Sequence, residues 1–554
     1  MLINFLYFLF ISLSCVGYGA FIQNKTNIKS KEFNNLGAFG ITGIFLLNII
    51  TYSLSFIDKI NPLLNLLFLV IGIFFFFFYF YKISFKKNYL YIIIFILVYV
   101  GILIGKPHDD FHYYHFPYIH YLINSDFIYG VGHLNHGFRT SSSIFYINAF
   151  FFNPLVGYGT FHFGAALYMF FANIYLYEKI TFLNKEKKNN ISIFAICIFI
   201  FINIFFYRIG EHGTDRSAQI LSLLFLFEIF IFINFKNNIE NRIKILIILL
   251  GLVVSLKAFY ILFLIFSFIV LHHLYLKEKK DIKKILDKVF FNFIFLLFLI
   301  NILCVIAVSL INTGCFLYPV SFTCLDGLSW SLGSIETSKM NNWYELWSKG
   351  GATPNMRVLN QEEYLTSFNW VSNWVNIYFF NKVSDFLLGI IFLYFIIFFT
   401  FKLKLSFSNY RFKMILFFIL ILLIEWFYNH PALRYGGYSL ISGMFFLILS
   451  TLKFKKPIIN IIFQRKIKYF IAISLSIFLL RNIDRIIQEY DKYKYNPIQN
   501  HNYTFNSHDF RVMKKIELLK SDINCKKKKN CKDKEYKINL LTSKKYFISR
   551  RDND

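Results

Sequence analysis

Long runs of apolar residues, separated by short polar stretches, dominate the pattern along this chain. A helix needs roughly 20 apolar residues to cross a bilayer, with about 17 as a lower limit. The run 63–81 contains no charged residue, which predicts a membrane-spanning helix rather than part of a soluble core. Fourteen segments of this kind, some of them short, fall near 2–22, 36–57, 62–81, 89–105, 157–177, 191–207, 217–235, 243–256, 258–276, 289–311, 384–401, 414–428, 436–452 and 467–481.

This pattern predicts an all-α fold, a polytopic transmembrane helical bundle of about fourteen spans. Residues 1–481 form the membrane module, and residues 482–554, which are polar and strongly basic, form a small soluble tail. The segments 243–256 and 258–276 follow each other almost directly. One broken or re-entrant hairpin with its break at Lys257 is therefore the alternative to two spans at this point.

Lysine and arginine are concentrated in every second loop, which places those loops in the cytoplasm by the positive-inside rule. The other loops hold most of the His, Asp and Trp residues outside the tail: the first outer loop 106–156, then 208–216, the large outer loop 312–383, and 429–435. The same count places the tail in the periplasm, whereas a count wrong by one span places it in the cytoplasm. We expect a multi-pass protein of the bacterial cytoplasmic (inner) membrane whose active face is periplasmic.

The formal net charge of +28 raises the question of a nucleic-acid partner. The lysines, however, are scattered over short loops between apolar segments, where positive charge fixes orientation. We therefore expect the lipid bilayer, and no nucleic acid, as the partner of this surface. The sequence also has no nucleotide-phosphate loop, which argues against an ATP-driven pump.

Residues that could take part in catalysis or binding are most frequent directly after the fourth apolar segment. Asp109 and Asp110 are expected there, at the lipid–water boundary. A carboxylate there can act as a general base or hold a divalent cation. Two neighbours on a helix diverge by roughly 100°, so one is expected to be the active group and the other a helix N-cap. His115 lies close enough in sequence to serve the same site. Two solvated interfacial acids are the alternative interpretation.

The histidines that follow match no standard zinc spacing. We therefore expect His133 and His136 to bind substrate or backbone, and the metal requirement stays open. Arg139, followed by hydroxyl side chains at 140–143, suits an anion. Asp215 belongs to a short, charge-dense outer loop whose internal salt bridging is the alternative to a functional role. The cations expected to converge on a lipid phosphate or pyrophosphate are Arg139, Arg208 or Arg216, Lys257 and Arg434.

Cysteine and tryptophan add two features of the outer face. Cys315 and Cys324 lie in the large outer loop, and Cys525 and Cys531 lie in the tail. In an oxidising periplasm each local pair can close a disulfide, with free thiols as the alternative. The large outer loop also holds five tryptophans, which serve either as membrane-interface anchors or as platforms for sugar rings.

The layout resembles the GT-C glycosyltransferases, polytopic enzymes that use polyprenyl-phosphate-linked sugars and carry a catalytic acid in the first large extracytoplasmic loop. More closely, it is similar to a family of bacterial membrane proteins of unknown function that is itself GT-C-like. The resemblance implies that Asp110 is catalytic and that Tyr114 contacts substrate. Four islands carry it: Asp110-x-x-x-Tyr114-His115 with Gly130-x-Gly132-x-Leu134 and Ser142-Ser143; Thr214-Asp215; Gly314-Cys315-x-x-Tyr318-Pro319 with Cys324-Leu325-Asp326-x-x-x-Trp330; and Asn429-His430-Pro431-x-x-Arg434-Tyr435-Gly436.

Three functions remain open from the sequence. The first is an inverting glycosyltransferase that moves a sugar from a polyprenyl-phosphate carrier to a cell-envelope glycan, lipid or protein, with Asp110 as general base and Asp109 as its alternate. The second is an O-antigen-type polymerase that joins lipid-linked repeat units. The third is a non-enzymatic flippase or transporter of a lipid-linked saccharide. Transporters tend to place polar groups at mid-membrane, whereas the polar residues here gather at one face, so we favour the first.

Overall fold

Helices make up most of the protein, and the few strands are short, which confirms the all-α prediction. The computed structural model describes residues 1–28, 32–80, 89–235, 237–277, 281–353, 358, 360–407, 412–455, 460–499, 503–523, 531–542 and 545–551. The α-helices are α1 Leu2–Lys25, α2 Leu36–Ser55, α3 Pro62–Phe80, α4 Tyr89–Gly101, α5 Phe116–Asn124, α6 Ser143–Phe150, α7 Phe163–Lys185, α8 Asn189–Phe205, α9 Gly213–Asn234, α10 Ile239–Leu256, α11 Ser267–Lys277, α12 Ile282–Phe290, α13 Phe293–Thr313, α14 Ser334–Lys349, α15 Gln361–Leu365, α16 Val371–Trp374, α17 Ser384–Thr400, α18 Phe412–Asn429, α19 Gly437–Thr451, α20 Asn460–Tyr493 and α21 Arg511–Ser521.

Within the described residues, each of the fourteen apolar segments coincides for the most part with helix, but the helices differ in length. The break at Lys257 is real, since α10 ends one residue before it and a 3-10 helix, Ala258–Phe266, leads into α11. Three apolar helices, α4, α8 and α19, are shorter than a usual span. The count of fourteen spans therefore stays a prediction. Eight helical segments in the described part of the chain are long and apolar enough to cross a bilayer: Leu2–Lys25, Leu36–Ser55, Pro62–Phe80, Gly213–Asn234, Ala258–Leu276, Phe293–Thr313, Val371–Thr400 and Phe412–Asn429.

Burial sorts the helices into a centre and a periphery. The apolar stretch of α9 is 94% buried, whereas that of α3 is 22% buried. Because lipid tails cover apolar side chains as well as protein does, α3 can present its phenylalanines outward at no cost. Helix α9 therefore belongs to the interior of the bundle, and Asp215 lies in its first turn.

Small residues bring the first two helices together. A Cβ added at Gly19 would overlap the backbone of Phe39, and one at Gly43 would overlap the backbone of Cys15. Helix association in a bilayer depends on such close packing. Lipid tails are as apolar as the helix surfaces, so the hydrophobic effect does not drive the helices together. These two glycines therefore fix the α1–α2 contact.

A buried network of charges lies at the bundle end that the lysine pattern assigns to the cytoplasm. Glu32 accepts two hydrogen bonds from Arg242, at 2.7 and 2.5 Å, and one from Lys179 at 2.7 Å. Lys179 also contacts Glu228 at 2.9 Å, and Tyr175 donates to the same carboxylate at 2.7 Å. All five side chains are buried, so each charge depends on its partners for compensation.

The tail begins inside the long helix α20, whose 34 residues span about 51 Å, well beyond the roughly 30 Å hydrocarbon core. Its protruding part binds the end of α4. Arg485 donates to the Leu103 carbonyl at 2.8 Å and is paired with Glu489, which accepts from the Gly105 amide at 2.6 Å. The tail thus leaves the bundle at the same end as the first outer loop.

The rest of the tail lies against that loop. His112 contacts Asp509 at 2.7 Å, and Lys520 donates to Asp126 at 2.7 Å. A three-stranded sheet of order β1-β5-β4 joins the loop to the tail, with β1 parallel and β4 antiparallel to β5. The strands are β1 Ile128–Tyr129, β2 Leu403–Phe407, β3 Leu452–Phe454, β4 Tyr536–Thr542 and β5 Lys545–Arg550, of which β2 and β3 form a separate antiparallel pair.

Candidate functional site

A cavity of about 690 Å³ lies at the bundle end that carries the first and large outer loops. Its wall is built from residues of seven segments that are distant in sequence, including the start of α9, the break at Lys257, the helix α14 and the turn before α19. Residues of all four sequence islands contribute to it. The charged and aromatic lining residues are Asp110, Tyr113, Tyr114, His136, Arg139, Asp215, Lys257, Phe259, Phe316, Tyr318, Glu336, Lys339, Trp343, Tyr344, Trp347, His430, Arg434 and Tyr435.

Four of these side chains form a continuous chain of ion pairs. Arg434 donates through Nε to Asp215 Oδ2 at 2.7 Å and through a terminal nitrogen to Asp110 Oδ2 at 2.8 Å. Lys257 pairs with the other oxygen of Asp215. Arg434 is about one-third exposed and Lys257 about one-fifth, so both cations remain accessible from the cavity.

Local structure places the four side chains where helices begin or depart from regular α geometry, with Asp215 in the first turn of α9. A π-helical turn, Phe111–His115, follows Asp110 directly, and such turns are frequent at functional sites. Lys257 has an extended backbone between α10 and the next helix. Arg434 lies in a 3-10 turn that ends at Gly436, whose φ of 104° belongs to the region that glycine tolerates.

The electrostatic setting keeps Asp110 ionised and His115 neutral. Burial is the largest influence on the pKa of Asp110 and raises it, but the charge and hydrogen bond of Arg434, together with His108 and His115, hold this pKa below its ordinary value of 3.8. Burial lowers the pKa of His115 to about 4, in spite of the nearby carboxylates Asp110 and Asp215. At neutral pH Asp110 is therefore an ionised carboxylate, which is the form that can accept a proton.

These shifts predict a flat pH profile. A carboxyl whose pKa is lowered stays ionised as the pH falls until it passes below 3.8, and His115 gains a proton only near pH 4. If Asp110 acts as a base, kcat/KM for sugar transfer should show no acid limb between about pH 5 and 7. A limb with an apparent pKa near 6.5 would instead require a titrating histidine.

A third cation, Arg139, belongs to the same wall. It is buried, donates through Nε to the Gly132 carbonyl at 3.0 Å and pairs with Glu336 of α14 at 3.2 Å. The anion predicted for Arg139 is thus, in this structure, a carboxylate of the large outer loop. Among the described lining residues, four cations face three carboxylates, which leaves an excess of one positive charge: Arg139, Lys257, Lys339 and Arg434 against Asp110, Asp215 and Glu336.

The tryptophans of the large outer loop divide into two groups. Trp343 and Trp347 line the cavity, and Trp343 is half exposed. Trp330, Trp370 and Trp374 each donate an indole N–H to a backbone carbonyl at 3.2 Å and pack beneath the loops. Two of the five are therefore positioned as platforms for a ring-shaped ligand.

A disulfide joins Cys315 and Cys324, as the sequence predicted for this pair. The loop it closes includes Tyr318 and other residues that line the cavity, so the crosslink holds one wall in place. Cys531 is also disulfide-bonded, while Cys525 lies outside the described residues.

Comparison with known proteins gives a family without an assigned activity. Residues 1–441 match the family described as a domain of unknown function, DUF8201. The chain belongs to this family. No curated protein and no solved structure matches it. The prediction of an uncharacterised family is confirmed, while the wider GT-C relationship stays a prediction.

Not every predicted site residue of this DUF8201 protein reaches the cavity. The side chain of Asp109 is 90% exposed and lies 3.6 Å from Lys106, so of the two adjacent acids only Asp110 belongs to the site. Arg208 and Arg216 both pair with Glu211, at 2.7 and 2.8 Å, which is the internal salt bridging considered as the alternative. Neither arginine is among the described residues that line the cavity.

Two of the predicted histidines also lie elsewhere. His115 packs behind the wall, where a Cβ added at Gly213 would overlap its ring. His133 donates through Nε2 to the Trp330 carbonyl at 3.2 Å and faces a different groove. His136, in contrast, lines the cavity, together with Tyr114, and their contact with substrate stays a prediction.

The sequence reasoning missed one helix of the DUF8201 site, α14. Glu336, Met340, Trp343 and Trp347 recur at three- and four-residue spacing, which places them on one helix face. This periodicity could have indicated the helix face, but only the tryptophans of this segment had been considered as ligand contacts. His430 and Tyr435 also line the cavity. Both lie in the fourth island that carries the family resemblance, but no role was predicted for them.

The carboxylates of the cavity are neutralised by protein cations. Asp110 and Asp215 both pair with Arg434, and Asp215 also with Lys257. Within the described ranges, no group of three or more His, Cys, Asp or Glu side chains is placed to hold a metal ion.

Proposed function

We propose that this DUF8201 protein is a membrane glycosyltransferase that moves a sugar from a polyprenyl-phosphate carrier to a hydroxyl group of a cell-envelope glycan, lipid or protein. The observation that carries the proposal is the ion-paired Asp110, Arg434, Asp215 and Lys257 in one cavity at a single end of an apolar bundle. A base and two cations are the groups that this transfer needs.

The phosphate of the carrier is assigned to Lys257 and Arg434. Arg434 uses two of its nitrogens on the carboxylates, and a guanidinium has five N–H donors in total. The excess positive charge of the lining favours an anionic ligand over a neutral one. Apolar side chains in the same wall, among them Val305, Phe316 and Leu317, provide a surface for the isoprenoid chain.

Asp110 is assigned as the general base. Its carboxylate takes the proton of the acceptor hydroxyl while the acceptor oxygen forms a bond to the anomeric carbon. The bond between that carbon and the phosphate oxygen breaks on the opposite face, and its electron pair goes to the phosphate. Lys257 and Arg434 offset the charge that develops there. Attack opposite the leaving group inverts the anomeric configuration.

The periplasmic side is proposed for this chemistry. Basic residues mark the opposite loops as cytoplasmic, and the Cys315–Cys324 disulfide beside the cavity is typical of an oxidising compartment. The tail packs on the same face as the first outer loop. The bacterial inner membrane is the setting that unites these features.

Carrier binding gives the first test. Polyprenyl phosphate should change the fluorescence of Trp343 and Trp347 in the purified protein saturably, because both line the cavity. Arg434→Gln removes a fixed cation from the phosphate site and should raise the Kd about tenfold or more, since a charge-assisted hydrogen bond contributes about 1.5–3 kcal/mol.

The control is Arg208→Gln, which removes an arginine that pairs with Glu211 away from the cavity. It should leave the Kd unchanged. Equal loss in both variants, or equal binding of uncharged polyprenol by the parent protein, would refute phosphate recognition at Arg434.

A further inference from the structure

A second groove, of about 610 Å³, lies between the large outer loop and the tail. One side is formed by Ser329 and Ser331 of the loop, and the other by Lys537 and Asn539 of β4 with Arg550 of β5. Hydroxyl, amide and cationic groups thus make up most of its polar lining. The tail, which the proposed transfer does not use, contributes half of this wall.

The lining of this groove is positively charged. Lys537 and Arg550 line it, and no carboxylate is among its described lining residues. The carboxylate closest to Arg550 is that of Glu336, at 3.9 Å, a distance that gives partial compensation at most. An anionic ligand is therefore favoured here.

Two buried polar side chains in the same lining have unused hydrogen-bonding capacity. His133 is 8% exposed, and its Nε2 donates to the Trp330 carbonyl at 3.2 Å, so in the neutral ring Nδ1 is a bare acceptor. Nδ1 has no partner among the described residues, and neither has the hydroxyl of Ser549, which is 9% exposed. Buried polar atoms are normally paired, so a hydroxyl-bearing ligand would satisfy both.

We propose that this groove binds an acidic oligosaccharide, whose carboxylates pair with Lys537 and Arg550 and whose hydroxyls bond to His133, Ser549 and Asn539. Glu336 lines the first cavity, pairs with Arg139 there and approaches Arg550 of the groove. The two spaces therefore adjoin at this carboxylate. On the basis of the proposed transferase function, the oligosaccharide in the groove is the acceptor.

Binding is tested with the full-length protein in lipid nanodiscs and a fluorescently labelled oligogalacturonate, measured by fluorescence anisotropy. Lys537→Gln and Arg550→Gln should each raise the Kd about tenfold, because each removes one charge-assisted contact. Lys537 is half-buried on β4. If Arg550→Gln does not fold, Lys537→Gln gives the deciding result. Lys532→Gln, an exposed lysine just before the same hairpin, should leave the Kd within about twofold of the parent.

Three results would overturn this inference: no saturable binding by the parent protein, equal binding of a neutral maltooligosaccharide, or equal loss in Lys532→Gln. The proposed transferase function fails separately. If oligogalacturonate binds while polyprenyl phosphate does not, the groove stands and the transferase proposal falls. If polyprenyl phosphate binds and oligogalacturonate does not, the inference about the groove falls and the transferase proposal stands.

Discussion

Replacing Asp110 with asparagine is expected to lower the rate of sugar transfer by about 10²- to 10⁴-fold, the usual contribution of a general base. The amide keeps the shape of the side chain and still accepts a hydrogen bond from Arg434, but it cannot take the acceptor proton. The measurement is release of free polyprenyl phosphate from a panel of polyprenyl-phosphate sugars by the purified protein in liposomes.

Asp109→Asn is the matched control, because the two acids are adjacent and Asp109 is 90% exposed. Its rate should equal that of the parent. A variant Asp110→Asn with full activity would remove this residue from the mechanism. An O-antigen-type polymerase needs no acid at this point of the chain, so retained turnover in both variants, and in their combination, would favour that reaction.

The second large effect concerns stability. Glu32→Gln should destabilise the protein by about 3–5 kcal/mol, since it leaves the buried guanidinium of Arg242 without its two-point partner. Lys179 would retain Glu228, at 2.9 Å. The expected readout is a clearly lower midpoint of thermal unfolding in detergent, followed by the intrinsic tryptophan fluorescence.

Glu186→Gln provides the control for that experiment. Glu186 is an exposed acid at the end of α7, on the same side of the bundle as the network. Surface changes of this kind usually stay within about 0.5 kcal/mol, so the midpoint should not move. A midpoint for Glu32→Gln equal to that of the parent would show that the network contributes little to stability.

The fold could be predicted from the sequence because a bilayer imposes one rule on every span. A backbone in hydrocarbon must satisfy its own hydrogen bonds, so a long apolar run such as 63–81 becomes a helix whatever its neighbours are. The break at Lys257 was also foreseen, since a lone cation divides two apolar runs. Span number was harder, because helices such as α4 and α8 are shorter than a bilayer is thick.

The site could be predicted only in part, because ion pairing is decided in three dimensions. Lys257 and Arg434 were expected to meet, and both contact Asp215. In the sequence, Arg208 and Arg216 looked equivalent to Lys257 and Arg434 as candidate cations. In the structure both pair with Glu211, away from the cavity. The periodicity of α14 could indicate which residues share a helix face, but not that this face would line the cavity.

The most direct test of this account is a cryo-electron microscopy map of the protein bound to polyprenyl phosphate. We expect the phosphate within about 4 Å of both Lys257 Nζ and the Arg434 guanidinium, with its first isoprene units along Val305 and Leu317. A phosphate bound at the opposite end of the bundle, or outside the cavity that contains Asp110, would contradict the proposed function.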